Sequence, residues 1–399
     1  MRVLFVSSLY HPHIGGIETM IAELADALKN RSIASVVLTK QWPKELPVDG
    51  ELRGVPIYRV LSARTDEEFN IAIDWVRDNQ EKIRADVIHV VGMRRPLPLI
   101  ALLLSRLWKV PIICTITGGE IPAKNDAGPG AIWDEGSSFI PGVLMQADVV
   151  NCVSQALTVD LQKILPHRKD IATLYAGIDT LAIQKCSAEE RGSDYIVSLR
   201  RLDPSKGVDV LIRAFAQIAD NFPNLQLVIA GAGTERKTLE DLVMQLSVNR
   251  RTIFLGSVPL ARGISLLKGA ALTAVPSRSE GGGLVNVEAQ AAGCPVVASR
   301  VDGIPEYVID GRSGLLFEPG NAEDLAAKLK LLLTDKNLRD ALIVEGLRHA
   351  EAFSWDALAP QYVDLYTKAI AEYDREKPFT AWSDLTTGLW KRINQQANG

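Results

Sequence analysis

Two short segments of this chain combine charges and glycines in a way that suits a phosphorylated ligand. The first reads Ser198-Leu199-Arg200-Arg201-Leu202-Asp203-Pro204-Ser205-Lys206-Gly207. It follows an apolar run and precedes a helical pattern, and its two best-placed cations, Arg201 and Lys206, can neutralise a leaving diphosphate. A unit charge about 4 Å from a phosphate, at an effective dielectric near 20, is worth roughly 4 kcal/mol. That is enough to matter to a departing anion as its charge develops. The second segment runs from Pro276 through Glu280, Gly281-Gly282-Gly283, Leu284-Val285 and Glu288 to Pro295. A strand ends at Pro276, three glycines let the backbone approach a ligand closely, and a helix opens after them. The free N–H groups of Gly283, Leu284 and Val285 then form a ready anion site. Glu280 stands just before that site and Glu288 a little over one turn inside the helix. Phosphate would repel both carboxylates, so they make sense as acceptors for hydroxyls, such as those of a ribose and a hexose. Glycines alone would mark only a turn, and the basic segment alone only an exposed loop. The coincidence of an anion site with two carboxylates favours the functional reading.

The elements that must hold these segments follow a regular rhythm. Buried strands are predicted over residues 3–7, 34–39, 56–60, 86–91, 111–115, 148–153 and 171–174, with helical patterns between most of them. Residues 177–193 are polar, lack a sustained apolar face and read as an interdomain linker. The rhythm restarts with strands over 195–199, 225–230, 252–255, 272–275 and 295–298 and a helix from about 283 to 292. Such alternation predicts an α/β protein of two doubly wound Rossmann-like domains with parallel sheets. Ligands bind such sheets at the carboxyl ends of the strands, and a cleft between the two domains is the expected site. A long helix is predicted over 355–373. In the tail beyond it, Phe379, Trp382, Leu385, Leu389, Trp390 and Ile393 recur at helical spacing. Docking on the body or on a twin subunit, giving a homodimer, is favoured for that stripe over peripheral membrane contact.

Composition sets the bounds. The 399 residues suffice for two domains, and 47% hydrophobic with 23% charged residues is ordinary for a globular protein. A net charge of -4 gives no reason to expect nucleic acid as a partner. The four cysteines, Cys114, Cys152, Cys186 and Cys294, are far apart and read as free thiols. The apolar run after Met1-Arg2 is too short for a signal peptide, and that over 97–104 is too short to span a bilayer, so a cytoplasmic location is expected. The Gly231-Ala232-Gly233 run lacks the third glycine of a dinucleotide fingerprint and reads as a helix start. The pair His11 and His13 lacks an obvious third metal ligand in sequence. Arg94-Arg95, which precede the apolar run, read as exposed cations flanking a buried helix rather than as a membrane contact.

The two segments resemble the Gly-Arg-Leu…Lys-Gly and Glu-x7-Glu motifs of family 4 retaining glycosyltransferases, which have the two-domain GT-B fold. The resemblance extends to about residue 373. It takes in Gly15-Gly16-Ile17-Glu18, Ala176-Gly177-Ile178-Asp179, Gly303-Ile304-Pro305-Glu306, Asp310-Gly311 and Phe353-Ser354-Trp355. It implies an acceptor-side domain over 1–180, a nucleotide-sugar domain over 190–353, a closing helix over 354–374 that crosses back to the first domain, and a tail over 375–399.

It also implies roles. Arg201 and Lys206 would hold the donor diphosphate, Glu280 would bond hydroxyls of the transferred sugar, and Glu288 would bond the ribose. Gly282, Gly283, Leu284 and Val285 would lie on the donor. Gly231 and the stretch from Gly256 to Val258 would line the nucleobase slot, and Gly16 would close on the diphosphate from the other domain. The family needs no metal or cofactor, and no Asp-x-Asp occurs in this chain. Three positions depart from the pattern: Arg200 replaces a glycine, Gly282 replaces an aromatic, and Thr117 replaces an acceptor-side histidine. Thr117 and Glu120, with Glu18, are then the acceptor-side residues to watch. The implied activity moves a hexosyl or N-acetylhexosaminyl group from a nucleoside diphosphate sugar, with UDP favoured, to a hydroxyl acceptor. The acceptor would be a sugar, a lipid-linked glycan or a small metabolite. A nucleotide-sugar epimerase of the same fold, a phosphorylase with a pyridoxal cofactor and a non-catalytic sugar-nucleotide binder are the alternatives.

Overall fold

The computed structural model describes residues 1–13, 15–60, 66–93, 97–121, 139–191, 194–381, 383, 386–388 and 391. The chain divides into two compact units: Met1–Tyr175 with Leu358–Gly399, and Ala176–Ala357.

The first unit is built on β1 (Arg2–Ser7), β2 (Ala34–Lys40), β3 (Asp49–Leu52), β4 (Val55–Val60), β5 (Val87–Val91), β6 (Ile112–Ile116), β7 (Val149–Cys152) and β8 (Ile171–Thr173). They form one sheet in the order β3-β4-β2-β1-β5-β6-β7-β8. The central strands are near-continuous apolar runs because helices cover both faces of a parallel sheet; Val3 to Val6 and Ile112 to Cys114 are fully buried. Only β3 runs antiparallel, to β4. Its sequence, Asp49-Gly50-Glu51-Leu52, is too polar to announce a strand. It forms because Arg53 and Gly54, at φ 52° and 80°, make a two-residue hairpin turn of the kind that needs positive φ at both positions.

The second unit is built on β9 (Tyr195–Leu199), β10 (Gln226–Ala230), β11 (Thr252–Gly256), β12 (Leu272–Val275), β13 (Val296–Ser299) and β14 (Leu315–Phe317). Their order is β11-β10-β9-β12-β13-β14, and every neighbouring pair is parallel. The chain steps outward from β9 to β11 and then returns to lay β12 on the other side of β9. The switch point of this doubly wound sheet therefore lies between β9 and β12, where ligands bind in such folds.

Residues expected as a linker belong to the second unit, which begins at Ala176. Part of that stretch, Thr180–Lys185, is a helix whose N-terminus is capped by Asp179, with Oδ1 accepting from Ala182 N at 2.8 Å. A six-residue helix that buries Thr180 and Ile183 leaves no periodic apolar face in the sequence. The long helix spans Trp355–Ala371. Its first three residues count with the second unit and the rest with the first.

That helix is tied to the first sheet by a buried polar contact. His89, at the centre of β5, is fully buried. Its Nδ1 lies 2.8 Å from the Tyr366 hydroxyl and its Nε2 2.7 Å from Thr115 Oγ1. Burial pushes the imidazole down to about 3, so the ring is neutral at physiological pH. Tyr366→Phe would strand one ring nitrogen and is expected to cost about 1–3 kcal/mol in urea denaturation. An unchanged midpoint would show that this hydrogen bond contributes nothing.

The helix over Leu97–Trp108 is buried at almost every position, as expected of an apolar segment covered by protein. Arg94 and Arg95 lie outside the described residues, as do Trp382, Leu385, Leu389, Trp390 and Ile393 of the tail stripe. Among the described residues no helix is long and apolar enough to cross a membrane. All four cysteines are free; Cys114, Cys152 and Cys294 are buried.

Candidate active site at the carboxyl ends of the second sheet

The two charged segments follow β9 and β12 and so meet at the switch point. Their backbones are locked together. Ser205 O accepts from Arg278 N at 2.8 Å and from Ser279 N at 3.3 Å. The Arg278 guanidinium forks onto both carboxylate oxygens of Asp209, each at 2.7 Å. Gly207 sits at φ 61°, and a β-carbon there would lie 2.0 Å from the Pro276 carbonyl oxygen. Only glycine lets the two loops close to this distance.

Glu280 is the hub. Its Oε2 accepts from Lys206 Nζ at 3.0 Å, from Ser277 Oγ at 3.2 Å and from Arg200 Nη2. Arg200 Nη2 also donates to Ser277 Oγ. The Glu280 backbone N–H donates to Asp302 Oδ2 at 3.0 Å. Burial alone would raise the Glu280 carboxyl, but Arg200 and Lys206 outweigh it and hold the group down at about 2. Lys206 is lowered chiefly by its own burial, partly offset by Glu280.

The two arginines of the first segment part company. The Arg200 side chain is 6% exposed, whereas that of Arg201 is 71% exposed and meets Asp203 at 3.4 Å. Residue type and spacing had singled out Arg201 and missed Arg200. The available signal was position: the Arg200 N–H still donates to Ala230 O at 3.0 Å, so this residue extends the sheet and inherits its burial.

Glu288 projects from the Leu284–Ala291 helix. It is half-buried, and among the described residues its carboxylate has no hydrogen-bond or ion-pair partner. Desolvation pushes it up to about 7, against the opposing pull of Arg200. No side chain caps the helix start at Gly283, so the first N–H groups, those of Leu284 and Val285 included, are open to a ligand.

The glycine at 282 has a clear physical reason. A β-carbon there would lie 2.7–2.9 Å from the Tyr307 ring and hydroxyl. Tyr307 is fully buried and stacks on Phe353 at 4.9 Å. An aromatic supplied from elsewhere in the chain thus fills the space beside Gly282. Gly231 N donates to Gly256 O at 2.8 Å, which joins the ends of β10 and β11, and Val258 follows in the next loop, half-buried.

In the first unit the residues expected on the acceptor side sit after β1 and β6. Gly16 opens the helix Gly16–Lys29 and is exposed. Glu18 pairs with His13 Nδ1 at 3.1 Å. The Glu120 carboxylate accepts from Thr117 N at 3.0 Å, Thr117 Oγ1 at 2.8 Å and Gly118 N at 2.8 Å. Thr117 and Glu120 therefore engage each other in a closed loop at the end of β6.

Two α/β units, with a glycine-rich loop and two carboxylates at the switch point of the second, define the class as a GT-B fold. Relatives and solved structures agree. The model for glycosyl transferases group 1 matches residues 179–349, and that for glycosyltransferase family 4 matches residues 14–181. A D-inositol 3-phosphate glycosyltransferase of Acidothermus cellulolyticus is 30% identical over 400 residues, covering 90% of this chain and 86% of that protein. An uncharacterized glycosyltransferase of Methanocaldococcus jannaschii is 29% identical over 359 residues, 89% of this chain and 95% of its own. Among solved structures, sucrose-phosphate synthase from Thermosynechococcus elongatus superposes with a TM-score of 0.79 at 21% identity, over 93% of this chain and 100% of that one. Anabaena HepE in complex with UDP-glucose gives 0.75 at 20% identity, over 92% and 100%. The chain belongs to the family 4, group 1 glycosyltransferases.

Proposed function

We propose that this glycosyltransferase is a retaining, metal-independent enzyme that uses a nucleoside diphosphate sugar, with a UDP-sugar favoured, and glycosylates a hydroxyl acceptor. The observation that carries the reading is the cluster at the β9–β12 switch point: an ionised Glu280 ringed by Arg200, Lys206 and Ser277, beside an uncapped helix start and the unpartnered Glu288.

In this reading the open N–H groups, Lys206 and Arg201 receive the diphosphate. Glu280 accepts hydrogen bonds from hydroxyls of the transferred sugar, and Glu288 accepts them from the ribose. The C1–O bond to the diphosphate breaks as the acceptor oxygen attacks C1 on the same face. The departing phosphate oxygen takes the acceptor's proton. The cations supply the charge neutralisation that a metal gives other transferases. Gly16 is read as a further backbone donor to the diphosphate, Gly231, Gly256 and Val258 as the nucleobase side, and Glu18, Thr117 and Glu120 as the acceptor side.

A thermal-shift screen against UDP-, GDP- and ADP-sugars tests the donor, since a ligand that binds only the folded state raises its stability with concentration. The expected result is a rise for a UDP-sugar, followed by nucleotide release with acceptor and a product whose anomeric proton stays equatorial, as it is in an α-linked donor. An inverted product overturns the retaining assignment. A chain that binds nucleotide yet consumes no donor with any acceptor is a binder instead.

A further inference from the structure

Arg200 is the feature that the donor-site reading leaves over. It stands where the motif this segment resembles has a glycine. It is nevertheless placed with care: its backbone is fixed to β10 through Ala230, its side chain is 6% exposed, and one nitrogen, Nη2, serves both Ser277 and Glu280. Its Nε is buried with no partner among the described residues. Burying a guanidinium is costly, and a solvated loop residue would avoid that cost.

The geometry around Glu280 is lopsided. Arg200, Lys206 and Ser277 all converge on Oε2. Among the described residues none donates to Oε1. We propose that Arg200 is a positioning residue for the donor sugar: it fixes the Glu280 carboxylate with Oε2 gathered by the protein and Oε1 presented to a sugar hydroxyl. This rests on the reading of Glu280 as the sugar-binding carboxylate. Arg200 has a second effect. With Lys206 alone, the ion pair with Glu280 would be neutral, and the lysine's charge would be spent on the carboxylate. Arg200 adds the second cation, so a net positive charge remains for the diphosphate.

The charged groups facing Glu280 are Arg200 and Lys206, with Arg201 acting on it through Lys206 and Asp302 held on its backbone N–H. Without Arg200, burial would push the Glu280 carboxyl up, and sugar binding would weaken as pH falls. Glu288 also titrates near this range, but it is read as contacting the ribose. The ratio of nucleotide-sugar affinity to nucleotide affinity therefore cancels its contribution and isolates the sugar end.

The test uses the full chain and its Arg200→Lys, Arg200→Gln and Glu280→Gln variants, each checked for folding by thermal unfolding. Calorimetry measures UDP-glucose, UDP-N-acetylglucosamine, GDP-mannose and ADP-glucose, with UDP, GDP and ADP as references, between pH 5 and 8. Glu280→Gln is expected to lose about tenfold in the sugar-to-nucleotide ratio, as for one charged hydrogen bond. Arg200→Gln should lose a comparable factor, and its ratio should fall further toward pH 5, where the wild-type ratio stays flat. Arg200→Lys, which keeps the charge, should restore the flat profile while recovering only part of the loss. If Glu280→Gln loses the sugar contribution but Arg200→Gln keeps it with a flat profile, the role of Arg200 is overturned and the site reading stands. If Glu280→Gln changes nothing, or no nucleotide in the panel binds the wild-type chain, the site reading itself fails and takes this inference with it.

Discussion

Lys206→Ala is expected to slow glycosyl transfer at least about a hundredfold, roughly 3 kcal/mol in the barrier. The lysine is 13% exposed and lies 3.0 Å from Glu280 Oε2, so its charge acts through a poorly screened environment. A cation aimed at a leaving diphosphate gains most when negative charge grows on the phosphate oxygens, which places its effect in turnover rather than in nucleotide affinity. The substitution leaves Glu280 paired with Arg200 and Ser277, so the carboxylate is not abandoned and the loop has reason to hold its shape. Arg201, 71% exposed and facing Asp203 at 3.4 Å, is screened by solvent and should matter less, by about tenfold on alanine substitution. Initial rates of nucleotide release at saturating donor and acceptor decide the matter. A Lys206→Ala enzyme working at the wild-type rate would refute the assigned role.

The sheets were legible because a parallel strand covered on both faces is written as an unbroken apolar run. Val3 to Val6, Ile112 to Cys114 and Val296 to Ala298 all read that way, and each lies on a strand paired with a neighbour on both sides. What escaped was short or polar. The edge strand Asp49–Leu52 owes its place to a hairpin turn rather than to burial, and the six-residue helix Thr180–Lys185 is too brief to show a period. At the site, the placement of Lys206 on the turn after β9 and of Glu280 and Gly283 on the turn after β12 could be read from residue type, because glycine, carboxylate and ammonium each limit what a strand-to-helix turn can do. The division of labour between Arg200 and Arg201 could not. Adjacent arginines look alike in sequence, and only the continued pairing of Arg200 with Ala230 sends one inward and leaves the other in solvent. The accommodation of Gly282 by Tyr307 was hidden for a related reason, since the compensating ring lies 25 positions away along the chain (307 against 282).

Glu288→Gln is expected to exchange ligand affinity for stability, with a pH signature that separates the two. In the unfolded chain the carboxyl takes its ordinary value of 4.5, and in the fold desolvation pushes it up to about 7. Between these values the folded state binds more protons than the unfolded one, so stability falls as pH rises from about 4.5 to about 7 and stays low above. A difference of this size corresponds to roughly 3 kcal/mol. The amide variant escapes that cost, so the ligand-free protein should gain up to about 3 kcal/mol at pH 8 and less than about 1 kcal/mol at pH 5. Nucleotide binding should move the other way. Hydroxyl donors favour the ionised carboxylate, so wild-type affinity should rise through pH 7 and level off beyond it. The variant should bind about tenfold or more weakly at pH 8, with a flat profile, because it exchanges a charged acceptor for a neutral one. Calorimetric titration with UDP alongside urea denaturation at both pH values measures each half. Equal nucleotide affinity in the two proteins would remove the ribose role. Equal stability at pH 8 would show that the carboxylate is not strained in the empty site. A carboxylate kept half-buried and without a partner is destabilising while the site is empty, and a ribose hydroxyl pair is the kind of ligand that would relieve it.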